Sequence, residues 1–168
     1  NAVTKVQNSN ILFTPMVQNV TYTSFNKTAT VSQDQNLLDI TYGPDQERKK
    51  SVLKNNGNVI STKYFLSDYE KLIEGNNTAE VHYISCGDGL KALYVIENGV
   101  GSFYSVFTDY LGSINTIVNS SKNIVAEQNF DAWGRFRNTS NWKYSNVQSV
   151  PFWLHRGYTG HEHLKQFG

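Results

Sequence analysis

The chain carries one cysteine, Cys86, among its 168 residues. A lone thiol excludes an internal disulfide and leaves the redox compartment open. Prolines number three, and charged residues make up only 17 % against 39 % apolar. That balance excludes a disordered chain, which needs low hydrophobicity and high net charge. The formal net charge is +1 and the sequence shows no basic stripe, so nothing steers it to nucleic acid or to an anionic membrane. No apolar run approaches the roughly 18–20 residues of a membrane-spanning helix. No signal-like segment opens the chain at Asn1, so any export signal is expected upstream or already removed.

Aromatics are plentiful: ten Tyr, nine Phe and three Trp. Together with many Thr, Val and Ile, they favour a pleated, half-buried surface. The length suits one domain with its own core better than two, so a single domain over 1–168 is expected.

Periodicity is the strongest signal. Asp109-Tyr110-Leu111-Gly112 and Asp131-Ala132-Trp133-Gly134 both read Asp-x-x-Gly after apolar residues. Asp at the first turn position accepts a backbone hydrogen bond, and Gly at the fourth takes positive φ freely. Thr23-Ser24-Phe25-Asn26 keeps that chemistry with Thr as acceptor and Asn as the left-handed residue. Weaker copies are expected to begin at Asp45, Asp68 and Asp88. The positions 23, 45, 68, 88, 109 and 131 lie 22, 23, 20, 21 and 22 apart. A second series interleaves: Asp34-Gln35, Asn55 to Asn58, Gly75 to Asn77, Asn98-Gly99, Asn119 to Asn123 and Asn138 to Asn141. Turns about every ten residues, with alternating segments such as Ile114 to Val118 between them, predict an all-β antiparallel meander of tandem β-hairpins. Ser67 to Ile73 is too short to prefer helix. Residues 141–168 break the pattern and are expected to be an irregular, aromatic-rich end packed over the sheet.

Phe107 to Ile114 and Asn119 to Arg135 resemble the "D-x-L-G-S … Y-D-x-x-G-R" signature of bacterial RHS repeat-associated core regions. Arg156-Gly-Tyr-Thr-Gly-His-Glu-His163 is similar to the next block of that core. Tyr22 to Lys27 and Tyr42 to Arg48 look like upstream YD repeats, with Thr23, Asn26 and Arg48 departing from the usual residues. The resemblance implies a YD-repeat sheet, part of a spiralling β-shell in a much larger secreted or cell-surface bacterial protein. It implies partners within that parent: neighbouring repeats and an enclosed C-terminal toxin or effector cargo. The family's self-cleaving aspartyl site lies beyond the segment matched here.

No residue is singled out as catalytic, cofactor-binding or metal-binding. His82, His155, His161 and His163 could suggest zinc, since a His-x-His pair on a strand shares a face, but Glu162 would point to the other side. Hydrogen-bonded or surface histidines are the expectation. Asp109 and Asp131 are expected to cap turns instead of serving as paired acid and base. Cys86, with only His82 near in sequence, lacks a setting that lowers a thiol pKa. Ser113 in Leu-Gly-Ser-Ile is no nucleophile elbow. Tyr94, Phe103, Tyr104, Phe107, Phe130, Trp133 and Phe136 are expected to form cross-strand pairs, with a glycan- or protein-binding aromatic face as the alternative. The expected function is therefore a non-enzymatic structural segment, without cofactor, nucleic-acid partner or membrane insertion. Cut sheet edges leave unpaired strands. Pairing with a second copy, or folding 141–168 back over the sheet, is expected to cover one of them, and Pro15 after Asn10 to Phe13 disfavours the N-terminal edge.

Overall fold

The computed structural model describes residues 2–7, 17–87, 89–144 and 149–167. The turn expected at Asp88 and the Asn10 to Pro15 stretch lie outside the described residues. The chain divides into two compact units, Asn1–Thr78 with Gln166–Gly168, and Ala79–Lys165.

The first unit carries β1 (Lys5–Gln7), β2 (Val17–Tyr22), β3 (Thr28–Gln33), β4 (Asn36–Tyr42), β5 (Arg48–Asn55), β6 (Asn58–Leu66) and β7 (Tyr69–Glu74). Each strand pairs antiparallel with the next, from β1 to β7. Leu38 opposes Leu53, and Lys63 opposes Leu72, all of them buried. On the other face, Lys54 Nζ meets Asp39 Oδ2 at 2.7 Å.

Strand β8 (Asn77–Cys86) leads into the second unit, followed by β9 (Gly89–Glu97), β10 (Val100–Thr108), β11 (Ile114–Asn119) and β12 (Ile124–Glu127). Pairing again runs antiparallel from each strand to its successor. A separate hairpin joins β13 (Asn129–Phe130) to β14 (Phe136–Arg137). The all-β meander read from the sequence is thus the architecture, and its period of two is visible in the burial: on β9, Leu93 and Val95 are buried and Tyr94 between them faces the other way. Val81, Val106, Ile114, Ile117 and Ala126 join them in one apolar cluster. Trp153 and Leu154 close it from the irregular end of the chain. That end holds isolated bridges at Arg137 with Tyr144 and Arg156 with Glu162, and one short 3-10 turn, Tyr158–Gly160.

Two kinds of turn join the strands. Two-residue turns carry positive φ at Asp34, Asn56 with Gly57, and Asn98 with Gly99. Their primed twist matches the twist of the strands they join. Five-residue turns form the second kind. Thr23 N–H donates to Lys27 O at 2.8 Å and Asn26 N–H to Thr23 O at 3.1 Å, with Asn26 at φ 62°. The same pair of bonds recurs at 43–47, 109–113, 119–123, 131–135 and 157–161. A register shift precedes the turns at 23, 43 and 109, as the bulge of this turn type demands.

Two expected turn positions are corrected. The turn placed at Asp45 begins two residues earlier, at Gly43, with Gln46 as its left-handed residue at φ 58°. Asp45 instead accepts the Glu47 N–H at 3.1 Å and pairs with Lys49 at 2.6 Å. Arg48, expected in place of a turn glycine, is the first residue of β5 and pairs with Tyr42. Asp68 opens no Asp-x-x-Gly turn. It lies in a two-residue turn after Ser67 at φ 50°, between the paired Leu66 and Tyr69.

Candidate functional site

The segments that carry the sequence signature meet in the second unit. Asp109 Oδ1 accepts the N–H of Leu111 at 2.9 Å and of Ser113 at 2.8 Å. Asp131 Oδ1 accepts those of Trp133 at 2.8 Å and Arg135 at 2.9 Å. The two aspartates therefore occupy equivalent places, each turn closing on a glycine, Gly112 at φ 82° and Gly134 at φ 79°. Burial raises the Asp131 pKa. The backbone N–H groups of Arg135 and Trp133, the Tyr144 side chain and the Arg137 charge outweigh it and hold the carboxyl below its ordinary value.

A third copy, Gly157 to His161, was not legible because Gly157 has no side chain to mark the first position. Here His163 Nε2 takes over the capping task and accepts the Tyr158 N–H at 3.0 Å. Three contacts tie this turn to the other two. Thr159 N–H donates to Ser113 Oγ at 3.1 Å, Ile114 N–H to Gly157 O at 3.0 Å, and Tyr158 O–H to Ala132 O at 2.8 Å. Gln128, 3 % exposed, spans the gap beneath, its Nε2 donating to Ile114 O at 3.3 Å and Arg156 O at 3.2 Å.

The histidines part company. His163 stacks on Phe130 (centroids 5.5 Å, 17°) and leans on Phe136 at 4.6 Å. His161 Nδ1 lies 2.6 Å from Thr159 Oγ1, and His82 lies 6.0 Å from the Tyr94 ring. Among the described residues no group of His, Cys, Asp or Glu is placed to hold a metal ion. Cys86 is exposed, and four residues of strand, about 13 Å, separate it from His82. Ser113 is fully buried, its Oγ spent on Thr159.

Burial holds the His163 pKa below the ordinary histidine value, with the Lys165 and His161 charges adding to it. Its acceptor role in the turn needs the neutral ring. Because the folded pKa is depressed, the associated stability is complete above the unfolded value near 6.5 and is lost as the pH falls toward the lower, folded value. The melting temperature is expected to drop as the pH falls below the unfolded value. His163→Gln keeps an acceptor for the Tyr158 N–H and should flatten this part of the profile. An unchanged slope in that variant would show that another group sets the acid sensitivity.

Of the aromatics, Tyr94 with Phe103 (4.6 Å) and Phe130 with Phe136 (5.1 Å) form the expected cross-strand pairs. Tyr104 packs on Trp153 at 5.1 Å instead. Phe107 and Trp133 stand exposed.

Tandem hairpins with capped five-residue turns, locked together at the matching motifs, define an RHS-repeat-like fold. The comparisons agree on the fold. The crystal structure of TcdB2-TccC3-TEV matches with a TM-score of 0.66 and 14 % identity over 86 % of this chain. That of TcdB2-TccC3 without hypervariable C-terminal region matches with a TM-score of 0.58, again at 14 % identity over 86 %. Each match spans 8 % of the longer chain. No protein-family model and no curated protein matches the sequence.

Proposed function

We infer that this chain is a structural repeat segment of a large secreted or cell-surface RHS protein, part of a β-shell enclosing a C-terminal toxin or effector. The observation that carries the reading is the convergence of the three signature segments on one turn cluster, in a sheet that matches a small part of much longer chains. One of those chains is described as lacking a hypervariable C-terminal region, the place where a variable cargo would sit. On this reading residues 1–168 act as one stretch of wall and perform no catalysis. Asp109 and Asp131 are spent on the turns, the Oδ1 of each accepting two backbone N–H groups. Its partners are the adjoining repeats and the cargo, with self-association through sheet edges as a further contact. The exposed Phe103 and Phe107 on β10 favour a second reading, an adhesion module that uses this sheet face. An electron cryomicroscopy map of the protein made from the complete reading frame separates the two, since a wall has strands on both sides of it and an adhesion face is open to solvent.

A further inference from the structure

Between the turns at 109–113 and 131–135 opens a cleft of about 410 Å³. That is within the size range of small-ligand sites, roughly 300–1,000 Å³. Its lining combines the rings of Tyr110, Trp142 and Tyr158 with Asp109, Asn115 and Asn129. Two features are unexplained by the wall. Tyr110 is 95 % exposed and Trp142 61 % exposed, and both are held on tight turns instead of being packed. Asn115 Oδ1 is buried with no hydrogen-bond partner. A buried amide oxygen in that state is costly, and a turn of the Asn115 side chain toward the cleft would offer it to a donor brought by a ligand.

We propose that this cleft is a binding site for a neutral saccharide. The aromatic rings offer flat faces for the C–H face of a sugar ring, each with a polar edge for its hydroxyls. Asn115 and Asn129 supply amides that both donate and accept, and Asp109, whose Oδ1 is taken by the turn, offers Oδ2 to a hydroxyl. No cationic side chain lines the cleft, so an acidic sugar or a phosphate finds no counter-charge beside Asp109. A quaternary ammonium would suit rings and carboxylates. It has no N–H or O–H to donate to Asn115 Oδ1, and a sugar hydroxyl has. The site is independent of the cargo and belongs to the rim where the turns meet.

The test is titration of the chain with lactose, maltose, cellobiose and chitobiose, followed by ligand-observed NMR, with tetramethylammonium in parallel. At least one disaccharide is expected to bind with an affinity on the order of 1 mM. Tyr110→Ala and Trp142→Asn are each expected to weaken it about tenfold, asparagine being chosen because Trp142 sits at φ 59°, a conformation asparagine tolerates. Circular dichroism checks that the folds are kept. Should Trp142→Asn disturb the fold, Tyr110→Ala at its exposed turn position decides alone. No response to any of these sugars, a response untouched by the folded variants, or tetramethylammonium binding as tightly as the best sugar would each overturn the proposal.

Discussion

Replacing Trp153 with Ala is expected to destabilise the chain by about 3–5 kcal/mol, the range for truncating a buried tryptophan. The indole is 2 % exposed and lies 5.1 Å from the Tyr104 ring. It also donates from Nε1 to Glu97 Oε2 at 3.1 Å. Truncation opens a cavity over Leu93, Val95 and Val106 and at the same time strips a carboxylate of its donor. Trp153→Phe keeps most of the packing and loses the hydrogen bond, so its cost should fall between wild type and the alanine variant. Urea unfolding measures both. A loss below about 1 kcal/mol for Trp153→Ala, typical of a surface change, would mean that the irregular end does not close the core.

Gly134→Val carries the second large effect, about 1–3 kcal/mol from backbone strain alone. The residue sits at φ 79°, where a β-branched side chain is badly placed. Steric contact adds to this, because a Cβ there would stand 2.8 Å from Tyr158 Cδ1. Tyr158 cannot simply retreat, since its hydroxyl is tied to Ala132 O. Gly112 provides the internal comparison: it has φ 82° and nothing within 4 Å of its would-be Cβ. Gly112→Val should therefore cost less than Gly134→Val, and the difference reports how firmly Tyr158 joins the turns at 131 and 157. Equal costs at the two sites would show that the contact is soft.

The strand pattern was legible because it depends on residues close in sequence. Asn98-Gly99 announces its own primed turn, and Asp109 and Asp131 announce theirs, since each carries the acceptor and the left-handed glycine within four residues. The errors have equally local causes. At 43–47 the first position is Gly43 and the acceptor sits two residues late, on Asp45, so the aspartate misled. Pro44, which suits the second position of a type I turn, was the better guide. The turn at 119–123 hides its left-handed residue as Lys122 at φ 64°, although Asn119 Oδ1 caps it as an aspartate would. What sequence could not supply was the meeting of the turns. Tyr158 reaches Ala132 across 26 residues, and Thr159 reaches Ser113 across 46. The role of His163 as a stand-in cap, and the unpartnered Asn115 carbonyl, exist only once those contacts are made.

If these strands are rungs of a shell wall, a map of the protein encoded by the complete reading frame will show the strands from Val17 to Glu127 continuing into further antiparallel rungs at both ends. The turn cluster at 109–113, 131–135 and 157–161 should lie where one run of hairpins gives way to the next, and the wall should bound a cavity holding the C-terminal segment. A map in which the sheet ends at these residues, with solvent on both faces and no enclosed segment, would contradict it.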